Sequence, residues 1–157
     1  MHFDLVDRVL ESSPERIVTI KAVSAAEEYL QDHFPTFPVL PGVLMLEAMV
    51  QAARRLLDLS TPAPSTPWVL GRVRALKYGR FVKPGSTMRV TVVVAKAPDE
   101  SVREFRGEVV VLDPQAPGPE GSPGEAVAAS GRFTLRPVAL PVPAPPAAAR
   151  DEALAAR

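Results

Sequence analysis

Apolar and polar positions alternate along most of this chain, and the period changes once. From Arg16 to Val23, the residues Ile17, Val18, Ile20 and Val23 recur among polar ones, which predicts a strand. Ala25 to Gln31 predicts a short helical turn. From Val39 to Leu59 the pattern is that of a long helix. Pro41 suits a first helical position, where its missing N–H costs nothing, and Arg54 and Arg55 lie toward the end that favours cations. Ser60 to Pro67 reads as a loop. Beyond it strands are predicted over Trp68–Lys77, Thr87–Lys96, Val102–Leu112 and Glu125–Arg136. In the second of these, Met88, Val90, Val92 and Val94 alternate with Thr87, Arg89 and Thr91. In the last, Phe133 and Leu135 point inward and Arg132, Thr134 and Arg136 outward. No internal repeat interrupts this order. A strand, one long helix and a run of antiparallel strands describe an α+β domain, with one buried helix against a curved sheet.

Proline placement sets the expected limits of that domain. Nine of the eighteen prolines fall between Asp113 and Pro146. The segment 113–124 is expected to be a long loop between strands, since proline suits neither a helix interior nor a central strand. The run from Pro137 is expected to be an extended exit, followed by an Ala-rich stretch, 147–157, too short to form a stable helix alone. The domain is therefore placed at 1–136 and a tail at 137–157, and 157 residues suit one domain. Eighteen basic and eighteen acidic residues cancel, so net charge argues for neither a nucleic-acid nor a membrane partner. The absence of cysteine excludes disulfides and a thiol nucleophile, and two histidines, His2 and His33, cannot build a multi-histidine metal site. The start shows no signal-peptide pattern and no apolar run reaches about 18 residues, so a cytoplasmic location is expected.

The helix after Pro41 carries the candidate chemistry. Between Val43 and Ala53 its only non-apolar residues are Glu47 and Gln51, four apart and so on one face. A helix apolar all round is enclosed by protein. A carboxylate enclosed among Leu44, Leu46 and Met49 has the environment of a general acid. The alternative is a charge at the helix edge that pairs with an arginine. His33 precedes the helix in a segment stiffened by Pro35, Pro38 and Pro41. It can exchange a proton near neutral pH, or be purely structural. Gly42 and Val43 fall in the first turn, where N–H groups lack intrahelical acceptors and can hold an oxyanion. Gly42 alternatively only permits the turn. A base, an acid and an oxyanion donor within fifteen residues suit proton abstraction beside a carbonyl with protonation of a leaving group.

The stretch His33-Phe-Pro-Thr-Phe-Pro-Val-Leu-Pro-Gly-Val-Leu-Met-Leu-Glu-Ala-Met-Val-Gln51 closely resembles the signature of the FabZ-type (3R)-hydroxyacyl-[acyl carrier protein] dehydratases. That signature is His-Phe-Pro-Gly-x-Pro-Val-x-Pro-Gly-Val and then a Glu-Ala-Met-x-Gln helix, with the same spacing of fourteen from histidine to glutamate. Leu5-Val-Asp-Arg-Val9, Ile20-Lys-x-Val23 and Phe81-Val-Lys-Pro-Gly85 add to the likeness, which runs from about residue 4 to 136. The sister FabA type has aspartate at the position of Glu47. The resemblance implies a hotdog fold and a homodimer, often a trimer of dimers, whose sites take histidine from one subunit and glutamate from the other. It implies that His33 removes the α-proton of a 3-hydroxyacyl thioester and that Glu47 protonates the departing hydroxyl. Gly42 would then bind the thioester oxygen and Gln51 orient Glu47. The product is a trans-2-enoyl thioester and water, with no metal or redox cofactor and the substrate carried on phosphopantetheine. Asp32 and Thr36 stand where the family has glycine, and the usual Pro-His-Arg before the first strand is missing. Phe34, Met45, Met49, Phe81 and Val82 are candidate tunnel liners.

Charge adds a separate clue. Leu59 to Pro98 holds no acidic residue but seven basic ones. Of these, Arg72, Arg74, Lys77, Arg80 and Lys83 are candidates for docking acidic acyl carrier protein. Solvent-facing strand positions account for some of them without any partner. Nucleic acid fits poorly, because exposed aromatics do not interleave with the cations. The alternatives to a dehydratase are a hotdog thioesterase or CoA-linked hydratase, and a carrier-binding protein with weak turnover.

Overall fold

The computed structural model describes residues 3–60, 67–99, 101–117, 119 and 123–138. The tail placed at 137–157 lies outside them from residue 139 onward, as do 61–66 of the expected loop.

The elements run β1 (Arg8–Ser13), β2 (Arg16–Ala22), a single 3-10 turn (Glu28–Leu30), α1 (Gly42–Ser60), β3 (Trp68–Tyr78), β4 (Thr87–Asp99), β5 (Val102–Pro117) and β6 (Pro123–Pro137). The six strands form one antiparallel sheet in the order β1-β2-β4-β5-β6-β3. The helix packs across its inner face, so this is the hotdog arrangement of a helix wrapped by a curved sheet. Alternation sets the inner face: Met88, Val90 and Val92 of β4, Phe105 and Val109 of β5, and Phe133 and Leu135 of β6 are buried. The Phe105 and Phe133 rings stack at 5.5 Å. Opposite them α1 buries Met45, Ala48, Met49, Ala52, Ala53 and Leu56, a stripe at helical spacing.

Three expectations change. First, α1 begins at Gly42 rather than Val39, and Pro41 lies just before it, its carbonyl accepting the N–H of Leu44 at 2.9 Å. Val39 and Leu40 are held outside the helix because their N–H groups donate to the carbonyls of His33 (3.0 Å) and Val82 (2.8 Å). Second, β1 has no counterpart in the sequence pattern. It is an edge strand, mostly exposed, with a bulge at Leu10 that breaks the period of two. Third, the proline-rich 113–124 segment is not all loop: Asp113 pairs with Gly124 and Pro117 with Pro123. Residues 114–116 form a bulge between those pairs, so Pro114 is spared a ladder position that needs an N–H.

Two local features position the site. The turn from Lys83 to Ser86 has Pro84 second and Gly85 third, with Gly85 at φ 89°, the conformation a type II turn requires there. It anchors the chain that carries Arg80 and Phe81. Close to that turn, where Lys21 pairs with Met88 in the β2–β4 ladder, Lys21 is buried and pairs with Asp7 at 3.1 Å and Glu27 at 3.2 Å. Burial alone lowers the Lys21 pKa, but the two carboxylates outweigh it and raise the value above the ordinary one. Asp7 also accepts the N–H of Ala22 at 2.7 Å, so the segment before β1 is tied to β2.

Gly107 of β5 leaves the space that Met49 fills. A Cβ built there lies 2.3 Å from Met49 Sδ and 2.9 Å from Cγ. Gly107→Ala is expected to destabilise the protein by about 1–3 kcal/mol, through overpacking. Denaturant midpoints check this, and combining it with Met49→Ala should cost less than the sum of the two, because the residues share one volume.

Candidate active site

Residues 31–41 form a loop held by its own backbone. The N–H of Phe34 and that of Phe37 each donate to the other's carbonyl, at 3.3 and 3.0 Å, and Val39 donates back to His33. The peptide bond between His33 and Phe34 is cis. The ring of His33 is fixed on two sides. Its Nδ1 lies 2.9 Å from the carbonyl of Val39, and the Phe34 ring stacks on it at 4.3 Å. A carbonyl can only accept, so neutral His33 carries its proton on Nδ1 and keeps the lone pair on Nε2.

His33 lines a cavity of about 470 Å³ with Val39, Leu40, Gly42, Val43, Met45, Tyr78, Gly79, Arg80 and Phe81. The start of α1 therefore opens onto the same space as the imidazole. Gly42 packs closely there: a Cβ on it would lie 3.0 Å from Tyr78 Cε1 and 3.1 Å from Cζ, so the ring would have to shift. The sequence reading missed Tyr78, which sits at the end of β3 and faces the helix start only through the register of β3 on β6. A second cavity, about 490 Å³, lies between the β5–β6 hairpin and Phe37, Arg80, Phe81 and Lys83. Phe37 and Phe81 meet edge to face at 5.8 Å, and Lys83 Nζ stands 5.2 Å from the centre of the Phe37 ring. Arg80 and Phe81 line both cavities.

The other candidates divide. Of the tunnel candidates, Met45 and Phe81 line the His33 cavity. Met49 and Val82 are fully buried in the core, and Phe34 is half exposed beside His33. Among the basic residues, Arg80 and Lys83 stand at the cavities, while Arg72 and Arg74 cluster with Arg132 and Glu104 on β3, β5 and β6. Lys77 is exposed on β3, the edge strand. Arg89, from the same basic stretch, is committed to Glu125 by a two-pronged pair at 3.1 and 2.7 Å.

Glu47 is not among the residues lining the His33 cavity of its own chain. Its side chain is 36% exposed, where the apolar helix pattern placed it among apolar neighbours. Val43 is 67% exposed, so its own chain does not enclose the helix all round. Glu47 Oε1 instead meets Gln51 Nε2 at 3.2 Å and Arg54 Nη1 at 3.5 Å. The pairing with an arginine is thus present, and its partner was legible as the residue seven positions on, along the same helix face. Gln51 also donates to the carbonyl of Phe3 at 2.9 Å and accepts the N–H of Leu5 at 2.8 Å.

A family model described as a FabA-like domain matches residues 1–115, a span that contains the His33 loop, α1 and the cavity wall at 78–83. The chain belongs to the FabA-like family. Among its relatives is a 3-hydroxyacyl-[acyl-carrier-protein] dehydratase FabZ of Oenococcus oeni, 46% identical over 97 residues, which span 60% of this chain and 69% of the relative. Another, from Lactococcus lactis, bears the same name and is 36% identical over 115 residues, 73% of this chain and 74% of the relative. Two solved structures share the FabA-like fold at low identity. The dehydratase heterocomplex ApeI:P from Xenorhabdus doucetiae superposes with a TM-score of 0.58 at 18% identity, covering 86% of this chain and 99% of that one. Mouse thioesterase superfamily member 2 gives 0.54 at 16%, covering 84% and 81%. Among the described residues no helix is long and apolar enough to cross a membrane.

The His33–Val39 hydrogen bond makes a direct prediction. Nitrogen-15 NMR of the protein at neutral pH should show His33 as the Nδ1–H form. Replacing Val39 leaves its carbonyl in place, so Val39→Ala should keep that tautomer. An Nε2–H signal would contradict the geometry.

Proposed function

We propose that this chain removes water from a (3R)-3-hydroxyacyl group held as a thioester on acyl carrier protein, leaving the trans-2-enoyl thioester. The observation that carries the reading is His33. Its Nδ1 is committed to the Val39 carbonyl, and it lines one apolar cavity with Gly42 at the start of α1. The names of the relatives support the same reaction.

In the mechanism, Nε2 of His33 takes the α-proton, and the C–H electrons shift toward the thioester carbonyl. The oxygen gains charge and is held by the N–H of Gly42, with Val43 beside it, at the positive end of α1. The electrons then form the Cα–Cβ double bond, the Cβ–O bond breaks, and Glu47 delivers a proton to the departing hydroxyl. Water leaves, and proton exchange returns His33 and Glu47 to their starting forms. Water is lost with no net oxidation or reduction, so the step calls for no redox cofactor, and the proton transfers are assigned to His33 and Glu47. Of the basic candidates, Arg80 and Lys83 are best placed to meet the acidic carrier and its phosphopantetheine arm, since both stand at the cavities.

Glu47 is the reason to place a second subunit in the active unit. It lies on α1 outside the His33 cavity, the exposed Val43 lacks cover from its own chain, and β3 ends the sheet with an unpaired edge among the described residues. A homodimer in which Glu47 of one protomer completes the His33 site of its partner accounts for all three.

Two assays test this. Ultraviolet detection of enoyl thioester from 3-hydroxyacyl–carrier substrates should show turnover that falls by about 100-fold or more in both His33→Ala and Glu47→Gln, with the fold retained. Tight carrier binding without any product would instead indicate a carrier-binding protein. Mixing the two inactive variants so that subunits exchange should restore about one quarter of parental activity, since half the dimers then hold one intact site. No recovery in proven mixed dimers would place both residues in a single-chain site.

A further inference from the structure

The two oxygens of Glu47 are not equivalent. Oε1 receives Gln51 Nε2 at 3.2 Å and Arg54 Nη1 at 3.5 Å. Both donors are themselves held. Arg54 Nε donates to the carbonyl of Trp68 at 2.8 Å, which ties the guanidinium to the first residue of β3. Gln51 is clamped between the Phe3 carbonyl and the Leu5 N–H. That strap is fixed in turn by Asp7, whose N–H donates to Ile20 at 2.9 Å and whose carboxylate pairs with Lys21. An oxygen that already accepts two N–H donors is a poor seat for a further hydrogen. A proton on Glu47 therefore belongs on Oε2.

We propose that Arg54 is a positioning residue for the acid. By holding Oε1 it fixes Oε2 as the oxygen that carries the proton and gives it up: the Oε2–H bond breaks, a new O–H bond forms on the departing hydroxyl, and the Cβ–O electrons leave with the water. The inference rests on the dehydration reading and deepens it. Arg54 lies outside the Glu-Ala-Met-x-Gln motif, three residues past Gln51, and reaches the acid across two turns of helix.

The competing role is structural, and magnitudes separate the two. The pair is more than one-third exposed on both sides, at 37% and 36%. A pair so exposed contributes little to stability, because water screens it. Misplacing a proton donor by a fraction of an ångström is costly to rate.

The experiment measures kcat, KM and thermal unfolding for the parent, Arg54→Met, Arg54→Lys, Glu47→Gln and the Glu47→Gln/Arg54→Met double variant, with a 3-hydroxyacyl–carrier substrate. Arg54→Met should lower kcat by about tenfold or more, with KM within about twofold. Its Tm should stay within about 4 °C of the parent. Arg54→Lys should recover part of the kcat. In the Glu47→Gln background Arg54→Met should change the residual rate little, since the group it positions is gone. If Arg54→Met does not fold, Arg54→Gln is read in the same cycle. Parental kcat in the arginine variants overturns the proposal, as does a loss that carries undiminished into the Glu47→Gln background. A parent that forms no enoyl product at all defeats the dehydration reading itself. An active parent with indifferent arginine variants defeats only the role of Arg54.

Discussion

Packing α1 into the curve of the sheet is the constraint on which the other features of this protein depend. The helix presents Met45, Met49, Ala52 and Leu56, with Ala48 and Ala53 alongside, to strands whose inner residues are fully buried. Gly107 is part of that fit, since only a residue without Cβ leaves room for Met49. Once this face is buried, the rotation of the helix is settled. Glu47, Gln51 and Arg54 then share a different face, where they meet the N-terminal strap and β3.

The same packing sets what happens at the helix start. Pro41 and the bonds from Val39 and Leu40 hold the preceding segment out of the helix, and Leu40 is tied to Val82. The His33 loop and residues 78–81 thus line one cavity together with the first turn of α1. Tyr78 packs against Gly42 where any larger residue would push it away. His33 and the first turn of α1 are consequently positioned by hydrogen bonds to the backbone, while Glu47 is held by side chains. Backbone bonds tolerate substitution of the residues that make them. The Gln51 and Arg54 contacts do not, so the placement of Glu47 is the more easily disturbed by substitution.

The proline-rich segments show how local composition and tertiary pairing divide the outcome. Proline argued for a loop across 113–124, yet β5 and β6 continue to Pro117 and Pro123. The ladder absorbs Pro114 in a bulge, and proline's preferred extended backbone is compatible with the remainder. That extension forms a wall of the second cavity, facing Arg80 and Lys83.

Much of the domain was legible in the residues. Alternation located β2 to β6, and the apolar run broken only by Glu47 and Gln51 located α1, because burial of one strand face or one helical stripe leaves a periodic trace. The motif around His33, Gly42 and Glu47 also identified the family, because its spacing reflects a loop and a helix start that few other residues can build. The edge strand β1 left no such trace, being bulged and largely exposed. The tertiary structure alone decided that Glu47 meets Gln51 and Arg54, that Tyr78 closes on Gly42, and that Arg80 and Lys83 separate from Arg72 and Arg74. The physical reason is common to all of these. Sequence periodicity records which side of an element is apolar, whereas the partner across a gap depends on strand register and helix rotation, which only the assembled core determines.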